Sequence, residues 1–467
     1  MQTKFLGQAY TSRSLPLACQ TLMNLYFEPE TTGESENAGA FFGTPGLLRK
    51  TTGAGPMRAM IAANGSLFTV EGANVYIVTT GFAKTLLGTL PQATGRVSVA
   101  SNGLDVVFAH AAGWHAWTAS SSTFAAVTDA PLDSVITYQD GYIIFTQGGE
   151  AFGITGLKSL GIDPLDFASA EGSPDGLIAV LSDHRELWLF GDKTTEIWFN
   201  TGNADFPFER SGNAFIEHGC AARWSVCKAD STVFWLGQDE QGMGAVYTAA
   251  GYAPNKISTY ALETAIASYG DVSDAFSYAY QQQGHTFFLL TFPTANKTWA
   301  YDMATGGWSE RCFLDESGNR DRHRANAYAF FANFPLVGDW ETGHVYALDL
   351  DTFTDDGQEI LRERTWCHIE QENTFLNHDK LELVGEMGVG LTGSPATGVD
   401  PQVMLQWSND AGKTWSNERW ASIGKIGEYL NRCLWRRLGL ARRRVYRVRC
   451  TEPVKVAWFA MIINGAD

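Results

Sequence analysis

The sequence predicts an all-β protein: a degenerate β-propeller of about seven blades, six being the alternative, followed by a C-terminal β-sandwich-like domain. Three observations predict it. The chain carries 48 Gly and 13% aromatic residues, the mixture that short strands and tight turns require. Strand–turn–strand patterns return about every forty to fifty residues between 57 and 365, the period of propeller blades. Beyond residue 365 that rhythm stops and longer apolar strands follow, as a separate sandwich requires.

Residues 1–45 are expected to be an N-terminal extension, 46–365 the propeller and 366–467 the sandwich. Within the propeller, "SLFTVEGANVYIVTTG" reads as two alternating strands around Glu71-Gly72-Ala73-Asn74. Asn102-Gly103, Asp140-Gly141 and Gly191-Asp192 mark the turns of the next three hairpins, dipeptides that accept the positive φ of tight turns. "STVFWLGQDEQGMGAVYTA" has a looser, Gly-rich connection, and hairpins in "HTFFLLTFPTANKTWAYDMATGGWSE" and "HVYALDLDTFTDDG" complete the series. A propeller must close, because an open ring leaves unpaired strand edges. "FFGTPGLLRKT", ahead of the first hairpin, is placed to supply the closing strand beside the last blade. "DKLELVGEMGVG", "PQVMLQW", "RVYRVRC" and "VKVAWFAMIING" are the strands of the sandwich. "GEYLNRCLWRRLGLARR" reads as holding a turn of helix, weakened by Gly439, and "ESGNRDRHR" (316–324) as an exposed charged loop.

The formal charge of −17 excludes a general nucleic-acid binder. It is unevenly spread: residues 432–449, "RCLWRRLGLARRRVYRVR", hold eight Arg and no acid, which leaves the remainder at −25. Seven Cys without a C-x-x-C pair read as reduced thiols of a cytosolic chain. The N-terminus lacks the apolar core of a signal peptide, and no apolar run is long enough for a membrane span.

"SNDAGKTWS" contains Gly-Lys-Thr, but a phosphate loop needs Gly where Trp407 stands. "GVGLTG" (388–393) matches G-x-G-x-x-G, yet "SPATGVDP" follows where a dinucleotide fold needs a helix. The spacing of Ser408, Asp410, Gly412 and Trp415 is that of an Asp-box. Asp410 bonds back to turn amides, Gly412 accepts positive φ and Trp415 packs beneath. That makes it a structural hairpin device, present once and outside the propeller, and no paired carboxylates for glycoside hydrolysis stand out. His110 and His115 lack a third ligand. "DLDTFTDDG" has Phe353 and Thr354 where a calcium loop needs a ligand and a Gly. The sequence therefore assigns no catalytic residue, cofactor or metal.

The Arg-rich segment remains. Strand alternation puts Arg443, Val445, Arg447 and Arg449 on one parity, and Arg442, Arg444, Tyr446 and Val448 on the other. Charge on both faces is either protection of a sheet edge or, since Arg is used throughout, a fixed contact with protein or phosphate. Arg436, Arg437, Arg442, Arg443, Arg444, Arg447 and Arg449 are the candidate interface residues.

The run "LELVGEMGVG…PQVMLQWSNDAGKTWSNERW…GKIGEYLNRCLWRRLGLARRRVYRVRCTEPV" resembles the packaged-DNA stabilization proteins, or tail-hub accessory factors, of short-tailed bacteriophages. "NLYFEPE", "FFGTPGLLRKTTGAGPMRAMIAANGSLFTVEGANVYIV", "VGDWETGHVYALDLDTFTDDG" and the Asp175–Gly176 region are similar to the same family. The resemblance runs from about residue 24 to about 455. It implies a structural virion protein and no enzyme: a homohexameric ring in the viral tail below the portal and adaptor proteins. Such a ring extends the channel for packaged double-stranded DNA, retains the genome until ejection and carries a tail needle, fibre or tailspike. Assembly would take place in the host cytoplasm. An acidic tube wall would let DNA slide, so the Arg segment is expected to face a neighbouring subunit or the ring above. A propeller glycosidase or a carbohydrate-binding receptor protein is the alternative.

Overall fold

The computed structural model describes residues 2–170, 172–173, 175–238, 244–370, 372–393 and 397–465. The Gly-rich connection at 239–243 and the first residues after "GVGLTG" lie outside that range. Strands dominate. Seven small sheets span residues 57–89, 98–127, 136–169, 177–216, 219–256, 276–314 and 325–349, and within each the strands run antiparallel in sequence order. Strand Gly46–Thr51 pairs antiparallel with Val345–Asp349, through Asp349↔Gly46, Leu348↔Leu47 and Ala347↔Leu48. The last blade thus takes its fourth strand from ahead of the first blade, and the ring closes.

Buried apolar clusters fill the gaps between successive blades. Trp114 meets Phe145 edge-on at 5.1 Å between the second and third blades. Phe152 meets Trp198 between the third and fourth, and Phe234 stacks on Phe288 at 4.8 Å between the fifth and sixth. Met57 and Leu67 pack on Phe331 and Val345 between the seventh and the first. Each such side chain contributes about 1.5–3 kcal/mol of burial. Because a blade is covered on both faces, strands such as Asp105–His110 are buried at every residue. This differs from the in–out alternation expected of them, which needs one solvated face.

The turns follow their chemistry. At Asp140-Gly141 both residues have positive φ, 50° and 100°, which lets Ile136–Gln139 and Tyr142–Gly148 pair with no intervening residue beyond the turn. A helix, Tyr260–Ser268, bridges the fifth and sixth blades. Thr259 caps it by accepting from Leu262 N–H, and Leu262 and Ile266 are buried. No helix among the described residues is long and apolar enough to cross a membrane.

The second half of the molecule is two packed sheets. One is ordered Leu25–Pro29, Gly39–Gly43, Ala457–Ile463, Leu376–Gly385, Cys433–Ala441. The other is ordered Cys19–Met23, Arg362–Thr365, Arg443–Cys450, Gln402–Ser408, Arg419–Ser422. Leu22, Phe41, Trp366, Leu381, Val403, Tyr446, Val448 and Trp458 fill the space between them. The segment 1–45, expected as an extension, therefore contributes strands to both sandwich sheets. The second sheet also continues into the sixth blade, where Met23 bridges Glu310 in parallel.

Two local expectations are corrected. Residues 433–441 form a strand, with no helical turn. A bulge opposite Asp379, with Arg437 at φ 59° and Gly439 at 79°, spaces the buried Trp435, Leu438 and Ala441 three apart. That spacing imitates a helix in sequence. The charged stretch 316–324 is exposed only in its first half. Arg322, His323 and Arg324 are buried, Arg324 on Asp339 at 2.7 Å and Arg322 over the Trp340 ring. Ion pairing and ring contact replace lost hydration.

Ring closure yields two expected outcomes. Leu47 is buried between the sixth and seventh blades, so Leu47→Ala should cost about 3 kcal/mol in denaturant unfolding. Arg49, whose Nε–H faces Asp356 at 2.9 Å on the surface, should lose under about 1 kcal/mol as Arg49→Ala. Asp355, beside the closing strand, is buried, and desolvation raises its pKa from 3.8 to about 7 against the opposing pull of Arg362, Arg324 and Arg311. The folded chain thus holds a proton that the unfolded chain has released. This contribution is complete below about pH 4 and is lost as pH climbs through 7. Asp355→Asn should remove that decline, so the difference in Tm between variant and wild type should widen from pH 5 to pH 8.

Candidate interaction surface

The Arg-rich segment occupies two strands with different surroundings. Arg443–Cys450 lies in the middle of its sheet, between Arg362–Thr365 and Gln402–Ser408. Cys433–Ala441 is the edge strand of the other sheet. Arg444 points inward and is 2% exposed. Its Nε–H donates to Asn409 Oδ1 at 2.9 Å, Nη1 to Leu438 O at 2.6 Å and Nη2 to Leu440 O, with the Trp407 ring at 5.5 Å. It ties the bulged edge strand to its neighbours and offers a partner nothing.

Arg447 and Arg449 lie half-buried on the other parity. Arg447 donates to Gln406 Oε1 at 2.6 Å and covers the Trp415 ring at 4.0 Å, while Arg449 pairs with Glu418. Arg443 donates to Pro16 O at 2.8 Å and pairs with Glu370 at 2.7 Å. The most exposed of the candidates are three. Arg436 and Arg437 stand on the bulge, and Arg442 lies over the exposed Phe375 ring at 4.6 Å.

The same edge is unusually apolar. Arg419 Nη1 donates to Arg436 O at 2.8 Å, and Trp435 Nε1 donates to Arg419 O at 2.9 Å. These bonds bring the edges of the two sheets side by side. Trp420, Tyr429, Leu430 and Leu440 project along this margin, Leu430 at 96% exposure. Guanidinium groups next to aromatic and aliphatic side chains are the composition of a protein contact, and the bulge keeps this edge from pairing with another strand.

The Asp-box residues form the turn between Gln402–Ser408 and Arg419–Ser422. Ser408 Oγ donates to Asp410 Oδ1 at 2.6 Å and accepts from Gly412 N–H at 2.8 Å. Asp410 accepts from Thr414 N–H and Thr414 Oγ. The hydroxyls of Ser408 and Thr414 hold the Asp410 carboxyl well below the usual range. Gly412 has φ 88°, and Trp415 reaches across to Arg447. Both carboxylate oxygens are used by the turn itself. His110 Nε2 and His115 Nδ1 face each other at 3.0 Å; burial keeps both below their ordinary pKa, His110 at about 4. Among the described residues no group of three or more His, Cys, Asp or Glu is placed to hold a metal.

One polar centre had no signal in the sequence. Glu363, 1% exposed, accepts from Arg320 Nη2 of the sixth blade at 2.6 Å and from Thr21 Oγ1 of the N-terminal strand at 3.2 Å, with Arg447 of the sandwich at 4.0 Å. Its partners lie tens to hundreds of positions away, so no local spacing reveals them.

Comparison with known proteins bears on both halves. Family models described as "Bacteriophage P22 Gp10, beta-propeller" and "Bacteriophage P22 Gp10, beta-sandwich" match residues 1–353 and 361–465. No curated protein matches the chain. Among solved structures, the N-terminal domain of Nup159 is similar at 9% identity, covering 70% of this chain and 98% of that one with a TM-score of 0.42. PorZ of Porphyromonas gingivalis is similar at 11% identity over 82% of this chain and 46% of its own, with a TM-score of 0.38. The computationally designed Ika8 protein is similar at 14% identity over 70% and 99%, also with a TM-score of 0.38. With family models covering nearly all of both the propeller and the sandwich, the chain belongs to the Gp10 family of bacteriophage P22, the packaged-DNA stabilization and tail-hub proteins of short-tailed phages.

Proposed function

We propose that this structural tail protein assembles as a six-fold ring below the portal and adaptor of a phage virion. The ring continues the channel for packaged double-stranded DNA, helps to retain the genome and carries a needle, fibre or tailspike. Family membership over both halves of the chain is the observation that carries this reading. The exposed margin of the sandwich supports it. Arg436, Arg437 and Arg442, beside Phe375, Trp420 and Leu440, form a basic and apolar contact strip on a chain that is at −25 outside the Arg-rich segment. Acidic surface of a second copy, or of the ring above, is its electrostatic complement. An acidic channel wall would leave the DNA unbound and free to slide. The Asp-box favours no glycosidase, since Asp410 is committed to its own turn.

The test is electron microscopy of the purified chain, alone and mixed with its cognate portal–adaptor assembly. A six-fold ring stacked on the portal axis is expected. The triple charge reversal Arg436→Glu, Arg437→Glu and Arg442→Glu should abolish ring formation or docking and leave thermal unfolding within about 1 kcal/mol of wild type. Arg444→Ala should instead destabilise the fold by about 3 kcal/mol. Wild-type discs that never join the portal, or a triple variant that docks normally, would overturn this reading.

A further inference from the structure

Charge is divided between the two ends of one sandwich sheet. In the order Leu25–Pro29, Gly39–Gly43, Ala457–Ile463, Leu376–Gly385, Cys433–Ala441, the last strand carries the exposed Arg437 and leads into the exposed Arg442. Just ahead of that strand, the loop 424–431 presents Ile426, Tyr429 and Leu430 at 54, 70 and 96% exposure. The loop is pinned by its own bonds. Glu428 N–H donates to Lys425 O at 2.9 Å, Asn431 N–H to Glu428 O at 3.0 Å and Asn431 Nδ2 to Ser422 O at 2.8 Å. Apolar side chains grouped on a protrusion mark an interaction site, and a loop already fixed loses little entropy on docking.

The opposite end of the sheet has the complementary character. Leu25–Pro29, Gly39–Gly43 and the segment between them, with Phe459 of the next strand, form a pocket of about 210 Å³. Pro29, Ala40, Phe42 and Phe459 give it apolar walls, and Glu28 and Glu30 stand beside them. A water takes about 30 Å³, so the pocket has room for one aliphatic side chain. Residues 28–36, "EPETTGESE", hold four Glu and no Lys or Arg. Among the described residues no Lys or Arg pairs with these carboxylates; Glu28 has only His285 Nε2, at 4.0 Å. Glu30 accepts from the N–H groups of Thr32 and Gly33 in its own turn, and Glu34 and Glu36 are exposed.

We propose that the pocket beside residues 28–36 receives the 424–431 loop of a second copy of this chain, Leu430 entering the pocket and the acidic segment facing the Arg437 margin. This contact rests on the ring proposed above and names the two faces that meet in it. Like charge opposes docking of the basic margin on its own counterpart, and the same holds for the acidic segment, so neither face suits a self-paired dimer. A contact between two different faces repeats from copy to copy and closes into a ring when the rotation allows. Because the two faces lie at opposite ends of one five-stranded sheet, each copy has one for either neighbour.

Ring assembly of the full chain on the portal–adaptor complex, seen by electron microscopy, tests the contact. Glu34→Arg with Glu36→Arg should abolish rings and leave Tm unchanged, and so should Arg437→Glu with Arg442→Glu. All four substitutions in one chain should restore rings, since opposite charges then face each other again at every interface. An independent check mixes a Leu430→Cys chain with a Ser35→Cys chain and adds a short bismaleimide. A covalent dimer absent from either variant alone is expected. Rings that form normally in either charge-reversed variant, no recovery in the four-fold swap, or no mixed dimer while rings form would overturn this contact and leave the ring itself standing. Normal rings of the Arg437→Glu, Arg442→Glu variant that fail to hold DNA would assign the margin to nucleic acid instead. A wild-type chain that forms no ring, alone or on the portal, would overturn both readings.

Discussion

A circle of sheets has no stable end until its last sheet gains an outer strand. Here that strand is Gly46–Thr51 on Val345–Asp349, and everything before it in sequence is already committed elsewhere. Residues 19–43 are paired in the two sandwich sheets, so the strand that closes the ring is also the tether that holds the sandwich against it. The sixth blade receives the other end of this constraint, because its outer strand meets Cys19–Met23 and, through it, Arg362–Thr365. Glu363 then gathers Thr21, Arg320 and Arg447 around one buried carboxylate. Propeller and sandwich share one continuous sheet and one buried ion-pair network.

The arginines of this protein have two distinct uses. Several are buried clamps that collect carbonyl oxygens where distant strands cross. Arg364 takes Phe5 O, Gln8 O and Thr21 O, Arg362 takes Glu452 O and Phe353 O, and Arg444 takes Leu438 O and Leu440 O. A planar group with five donors suits this work, and a flexible ammonium does not. The others, Arg436, Arg437 and Arg442, stand on an edge. In sequence the two kinds are neighbours, and the density of Arg in residues 432–449 conflates a structural need with a surface one.

What was legible in the sequence was what local chemistry controls. Turn dipeptides located the hairpins, the blade period gave the architecture, and "FFGTPGLLRKT" was recognisable as a strand without a local partner. The Asp-box residues formed a self-contained turn whose bonds reach at most four positions. What was not legible depended on long-range pairing. The bulge at Arg437 made a strand look helical, His323 and Arg324 were buried by partners on other strands, and Glu363 drew its partners from three separate elements. In the candidate site, strand parity separated Arg443, Arg447 and Arg449 from Arg444. Which parity faced solvent followed from the second sheet, whose strands come from both ends of the chain.

The interleaving of residues 19–51 has a consequence for how the protein is made. As the chain leaves the ribosome, the first strands to appear must wait for partners that are synthesised last, since Gly39–Gly43 pairs with Ala457–Ile463 and Cys19–Met23 with Arg362–Thr365. Early blades can stack on one another during translation, but their circle stays open until the seventh arrives. Such sequence-distant pairings slow folding and leave apolar strand edges exposed meanwhile. The strand Gly39–Gly43 therefore stays without its neighbour until Ala457–Ile463 has been made.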